Sequence, residues 1–322
     1  MKRLGVVTAL CWLLCALVLR AEPAPIIVAP DGSGQFKTIQ AAIDSIPDNN
    51  AEWRLILIKP GTYRERLVIK ERKTFIILRG EDKEVRRTLV TFNRYAGMND
   101  PEAPGKKLGL NGSESVVIRA DNFIAENITF ENSSGAVAPA VAVRTMGDKQ
   151  MFRNCRFLGW QDTLWVDGKR AYFSDCYVEG RIDFIFGRAT AVFERCHIHA
   201  LDGGCITASS AHPETPFGLV FLKCKITCAE DRTYLGSPWD KGAATAFIEC
   251  ELGENLRPEG WKDWRGTDHH MTARFVEYRN TGPGSNISKR PAWTRQLSEA
   301  EAKNYTVENI LSGEDGWNPK SD

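Results

Sequence analysis

The chain has 322 residues, 43% of them hydrophobic and 26% charged, which is the makeup of a soluble globular protein with enough apolar material for a large core. Lys and Arg number 42 against 41 Asp and Glu, a net charge of +1, so no strong global field draws in nucleic acid or a membrane surface.

Residues 1–21 stand apart. Lys2-Arg3, an apolar run from Val6 to Leu19 and then Ala21 form a secretory signal peptide pattern, too short in its apolar core for a comfortable membrane span. A mature chain from about Glu22 is therefore expected, secreted or periplasmic, with no membrane attachment after removal of the leader. That removal leaves 39 basic against 41 acidic side chains and takes Cys11 and Cys15 away, so seven cysteines remain.

Ile26-Ile-Val predicts a short strand, and Thr38-Ile-Gln-Ala-Ala-Ile-Asp-Ser-Ile an amphipathic helix with Thr38 at its N-terminus and Pro47 ending it. Such a helix would cover the open end of a stack of strands. Arg54-Leu-Ile-Leu-Ile, Leu67-Val-Ile and Phe75-Ile-Ile-Leu read as further strands. The stretch from Asn93 to Asn111 has no periodicity and is rich in Gly, Pro and Asn, which predicts a long loop over one face.

From Asn127 to Cys250 one phrase recurs six times: an aromatic or aliphatic lead, a polar step to Asn or Cys, and an alternating apolar tail. The steps between Asn127, Cys155, Cys176, Cys196, Cys224 and Cys250 are 28, 21, 20, 28 and 26 residues. Self-similarity at such periods marks a solenoid, because each unit buries its apolar face only against its neighbours. Alternation with a period of two makes the unit a strand. The expected fold is all-β: a right-handed, single-stranded parallel β-helix with short capping helices, one domain over residues 22–322. Five of the seven cysteines would form an internal column of small apolar side chains; Cys205, and Cys228 close to Cys224, are the ones to watch for pairing.

Stacking has a chemical consequence. Asp162 lies seven residues past Cys155 and Asp183 seven past Cys176, so coils in register put the two carboxylates on adjacent rungs about 4.8 Å apart. Close carboxylates resist double ionisation, and one keeps its proton near neutral pH. The plainer alternative is that both Asp merely end strands as turn residues. Beyond the ladder, Trp261, Trp264 and the strand from Phe275 lead to Ser298-Glu-Ala-Glu301, a capping-box pattern for a short helix folded back along the coils.

Gly61-Thr-Tyr63-Arg-Glu65, Gly159-Trp-Gln161-Asp162-Thr163-Leu164, Asp183-Phe-Ile-Phe-Gly187, Leu235-Gly-Ser-Pro-Trp239, Gly260-Trp261 with Trp264, and Gly282-Pro-Gly284 resemble the ordered motifs of the pectin methylesterases. The resemblance runs from about Ile27 to Trp317. It implies a cofactor-free aspartyl esterase acting on methyl-esterified polygalacturonate, with no metal and as a monomer. Residue by residue it implies Asp183 as nucleophile, Asp162 as general acid and then base, and Gln161 as a donor to the oxyanion. Trp239, Phe186 and Ser237 fall at substrate-binding positions, the first two as walls for a sugar ring.

Three positions depart from the family pattern. Pro139 replaces a Gln and removes a second oxyanion donor. Ser237 replaces an Arg that would pair with the nucleophile. Leu110 stands where relatives often carry a substrate-contacting Thr. Arg181 and Arg188 flank Asp183, and either guanidinium is a candidate compensating charge, although a solvated surface arginine is the commoner outcome. Three functional readings follow: an active pectinesterase; a weakened or inactive relative that binds acidic polysaccharide, or an esterase for another carbohydrate ester; and a polysaccharide lyase, which would want a calcium-binding carboxylate cluster. His197, His199 and His269-His270 lack the partners of a metal site, and no Gly-x-Ser-x-Gly elbow supports a serine esterase.

Overall fold

In the computed structural model, which describes residues 24–321, the repeated phrases become stacked corners. The strand Thr190–Glu194 ends, Arg195 turns the chain with φ +53°, and the strand His197–Ala200 leaves in a new direction. Asn154, Asp175, Lys223 and Glu249 make the same left-handed turn with φ between 48° and 54°. Asn and Asp adopt that conformation readily, whereas for the longer side chains it costs about 1–2 kcal/mol, so the stacked packing must over-determine the corner. The leader expected over residues 1–21 lies outside the described residues.

A full coil contributes one strand to each of three sheets, as in Arg170–Ser174, Tyr177–Gly180 and Ile185–Gly187. Among the described residues one sheet has 11 strands, from Ile26–Val28 to Arg295–Gln296, a second has eight and a third has seven. Neighbouring coils pair in parallel. The fold is a parallel β-helix, as the repeat predicts.

The phrases also set the core. The rings of Phe152, Phe173, Phe193, Phe221 and Phe247 stack at centroid separations of 4.8, 4.5, 4.8 and 4.5 Å, the spacing of the strands themselves. Beside them Cys155, Cys176, Cys196, Cys224 and Cys250 are buried as unpaired thiols. Cys205 and Cys228 are unpaired as well.

One register differs from the sequence reading. Phe123 pairs with Gln150, so Asn127 lies level with Asn154, its side-chain oxygen accepting from Asn154 at 2.9 Å, and Ile128 is level with Cys155. Asn127, with φ +58°, is the turn residue of its coil, one place before the cysteine column. Asparagine fits both a stacked ladder and a left-handed corner, and the sequence alone does not separate the two.

The ends follow their local signals. Helix Ile39–Ser45 buries Ile39, Ala42 and Ile43, and the Thr38 hydroxyl accepts from Ala41 N–H. Glu65, the last residue of Gly-x-Tyr-x-Glu, takes the Ile39 and Gln40 N–H groups at 2.8 and 2.9 Å, which makes that motif a helix cap. Ser298 and Glu301 form the predicted capping box of helix Glu299–Ala302, and helix Val307–Leu311 lays Val307, Ile310 and Leu311 across the outside of the 11-stranded sheet.

Candidate active site

The second corner of each coil lies before the seven-stranded sheet, and here the turn residues are Asp162 and Asp183, with φ +65° and +51°. Asp162 N–H donates to Ile182 O at 3.1 Å, Gln161 bridges Ile182, and Leu164 pairs with Ile185. The offset is 21 residues throughout, so Asp183 sits on the rung directly next to Asp162. Asp183 N–H is itself held by Cys205 O at 2.7 Å. The backbone of both corners is therefore locked while the side chains project outward. Among the described residues neither carboxylate forms a salt bridge or a side-chain hydrogen bond.

Burial raises both acids. Asp162 is pushed up to about 7, first by desolvation and then by the charge of Asp183. Asp183 rises to about 6 by desolvation, held back by Arg265 and Lys262. The two acids thus occupy unlike fields: Asp162 is raised further than Asp183, an order suited to an acid beside a nucleophile. Gln161, partly exposed on the same rung as Asp162, has no side-chain partner among the described residues and is free to donate.

The wall beside the acids is aromatic. Trp165 and Phe186 stack at 5.2 Å, Phe186 meets Trp239 edge-on at 5.9 Å, and Leu110, Trp239 and Trp264 pack on the patch formed with Val141 and Ala208. Trp239 is partly exposed, and an open groove of about 910 Å³ continues from it, lined by Lys169, Arg188 and Lys241 and equally by Asp148, Asp240 and Asp315. Phe186 is only 3% exposed and serves as the floor rather than a wall. Ser237 is also 3% exposed, close to the Cys205 thiol, so it lies under the surface. The loop from Asn93 to Asn111 does reach the site, through Leu110.

Neither candidate compensating arginine is engaged with Asp183. Arg181 pairs with Asp202 at 3.0 Å and Arg188, largely exposed, with Asp167 at 2.8 Å. Alternation puts Arg181 on the face of Asp183 only if residues 181–183 are a strand; the strand ends at Gly180 and the left-handed corner turns the side chain away. Pro139 stands one residue before Ala140, whose N–H donates to Gln161 O at 3.0 Å. The sequence reading missed Trp165, Lys262 and Arg265. Trp165 had a signal, since it occupies the outward position of its strand as Phe186 does on the next. Among the described residues no group of three or more His, Cys, Asp or Glu side chains is arranged to hold a metal ion; His197 and His199 both bond the Thr227 hydroxyl at 2.8 Å.

Comparison with known proteins finds relatives over most of the chain. The Pectinesterase family model matches residues 25–314. Pectinesterase 31 of Arabidopsis thaliana is 39% identical over 293 residues, covering 89% of this chain and 92% of that protein. Pectinesterase 5 of the same plant is 37% identical, but the chain spans only 50% of its length. Among solved structures, the pectin methylesterase from carrot superposes with a TM-score of 0.85 at 31% identity, covering 92% of this chain and 96% of that one. A pectin methylesterase solved in complex with a hexasaccharide gives 0.79 at 29% identity, covering 93% and 99%. The chain belongs to the pectinesterase family and is a carboxylic ester hydrolase.

Proposed function

We propose that this protein removes methyl groups from esterified polygalacturonate, releasing methanol and free carboxylates, with Asp183 as nucleophile. The observation that carries the reading is the pair of half-buried acids on adjacent rungs, with Asp162 raised further than Asp183. Asp183 attacks the ester carbonyl carbon, and the Gln161 amide donates to the oxyanion that forms. Collapse breaks the bond to the methoxy oxygen, which takes the Asp162 proton and leaves as methanol. The resulting acyl-enzyme is a mixed anhydride. Asp162, now a carboxylate, takes a proton from water, whose oxygen adds to the substrate carbonyl and frees Asp183. The partly exposed Trp239 face, at the edge of an open groove, suits a sugar ring.

The leader pattern of residues 1–21 supports action outside the cell; that the enzyme is a monomer without a cofactor rests on the motif resemblance alone. The test is methanol release from methyl-esterified pectin by the purified chain, with Asp183→Ala as control. Methanol from the parent and none from the variant is the expected result. Absence of methanol with retained pectin binding would favour the weakened relative to which Pro139 and Ser237 point. The N-terminus of protein recovered from the medium checks export.

A further inference from the structure

By register, Trp165, Phe186, Ala208 and Ser237 form one column across four coils of the seven-stranded sheet. The next coil adds no regular strand there, but Gly236 bridges Trp261 and Lys262 N–H donates to Gly236 O at 3.1 Å, which sets Lys262 beside Ser237 as the next member of the column. Two residues on, the Trp264 indole packs on the Trp165, Phe186 and Ala208 patch, and the Arg265 guanidinium lies over that indole at 4.9 Å. Both cations therefore rim the site. Among the described residues neither forms a salt bridge, so their charge is not spent on a neighbouring carboxylate.

The other groups around Asp183 supply no positive charge. Asp162 faces it from the rung before, and the Cys205 thiol from the rung after, kept neutral because burial pushes it up to about 12. Arg181 is held by Asp202 and Arg188 by Asp167. Ser237, close to Cys205, offers only a neutral hydroxyl, and Asp263, between the two cations in sequence, is exposed. Against burial, Arg265 first and then Lys262 hold Asp183 down, and neither acts comparably on Asp162.

We infer that Lys262 and Arg265 are positioning charges for ester hydrolysis: they favour ionisation of Asp183 over that of Asp162, the task that the family motif would give to an arginine at position 237. The inference rests on Asp183 being the nucleophile. It explains how a chain with Ser237 retains a chemically asymmetric pair.

The experiment is the pH dependence of kcat/KM for methanol release by the full chain and by Lys262→Ala/Arg265→Ala. Both side chains are exposed, so the double variant is expected to melt with the parent. Loss of the two charges should move the acidic limb upward by about one pH unit and lower kcat/KM about tenfold below that limb, with little change above it. Arg265→Lys should keep the limb in place, and Arg265→Glu should move it furthest. Raising ionic strength from about 0.05 to about 0.5 M should shift the limb of the parent and leave the double variant unmoved, because exposed charges are screened over a Debye length of about 10 Å at 0.1 M. An unmoved limb in the double variant overturns the inference, and so does an equal loss at every pH carried in KM, which would make the cations substrate anchors. Asp183→Ala separates the two layers: an inactive Asp183→Ala beside an unmoved limb sinks this inference alone, whereas an active Asp183→Ala sinks the nucleophile assignment.

Discussion

The β-helix has two ladders of left-handed corners, and they put the same backbone device to opposite ends. In the first, Asp175 and Arg195 sit on successive rungs, exposed, and close a bidentate ion pair at 2.9 and 2.7 Å. In the second, Asp162 and Asp183 sit on successive rungs against an aromatic wall, with no salt-bridge partner of their own among the described residues. A carboxylate in the first ladder is solvated and neutralised, and does nothing beyond closing a turn. In the second, desolvation and the neighbouring acid raise the cost of ionisation, and the site gains reactivity from a charge that folding alone would not have placed there. Local conformation is shared, so it cannot be the source of the chemistry. The environment is.

The sharpest break of that comparison is to remove one acid from each ladder. Asp183→Ala should lower kcat for methanol release by at least about three orders of magnitude, the scale seen when a nucleophile is deleted, whereas Asp175→Ala should leave kcat unchanged. Equal losses would mean the ladders do not differ as argued.

Asp162→Asn comes next. It keeps shape and loses the proton donor, and should cost about 10²- to 10⁴-fold. In the parent, activity should fall as pH drops through about 6, where Asp183 protonates, and fall again as pH rises through about 7, where Asp162 ionises. Asp162→Asn should lose the alkaline limb and keep the acidic one.

Stability should respond in the opposite sense to activity. The folded value of Asp162 is raised, so its contribution is fully present below the unfolded carboxyl range and is lost as pH rises toward 7. Asp162→Asn should therefore raise the melting temperature by a few degrees at pH 8 and leave it unchanged at pH 4; a thermal scan at both values checks this.

The smallest effect belongs to the first ladder. Lys223 holds φ +54° with only a loose partner, Glu249 at 3.8 Å. Lys223→Asn should gain about 0.5 kcal/mol by relieving left-handed strain, read as a slightly higher midpoint in urea, with activity unaffected.

Much of this architecture is legible in the chain. Phe152, Phe173, Phe193, Phe221 and Phe247 each stand three places before the cysteine of their phrase, and the shared 21-residue offset of Cys155 to Cys176 and Asp162 to Asp183 already pairs the acids. Those features are periodic, and strand alternation propagates them without knowledge of the rest of the molecule. Three features were not legible. Asn127 slipped by one place because asparagine suits a corner as well as a ladder. The direction of the Arg181 side chain is not readable from sequence, because alternation fails across a left-handed residue. Lys262 and Arg265 went unseen because their position depends on how the last coil closes over Ser237, through a single bridge between Gly236 and Trp261 far from Asp183 in sequence.

By itself, then, the sequence determined the repeat, the apolar columns and the identity of the two acids, since these depend on short-range alternation and on a step length carried from coil to coil. Only the tertiary structure decided which charges face those acids, because electrostatic fields act through space, and coils of unequal length bring distant side chains together at distances that no local pattern encodes.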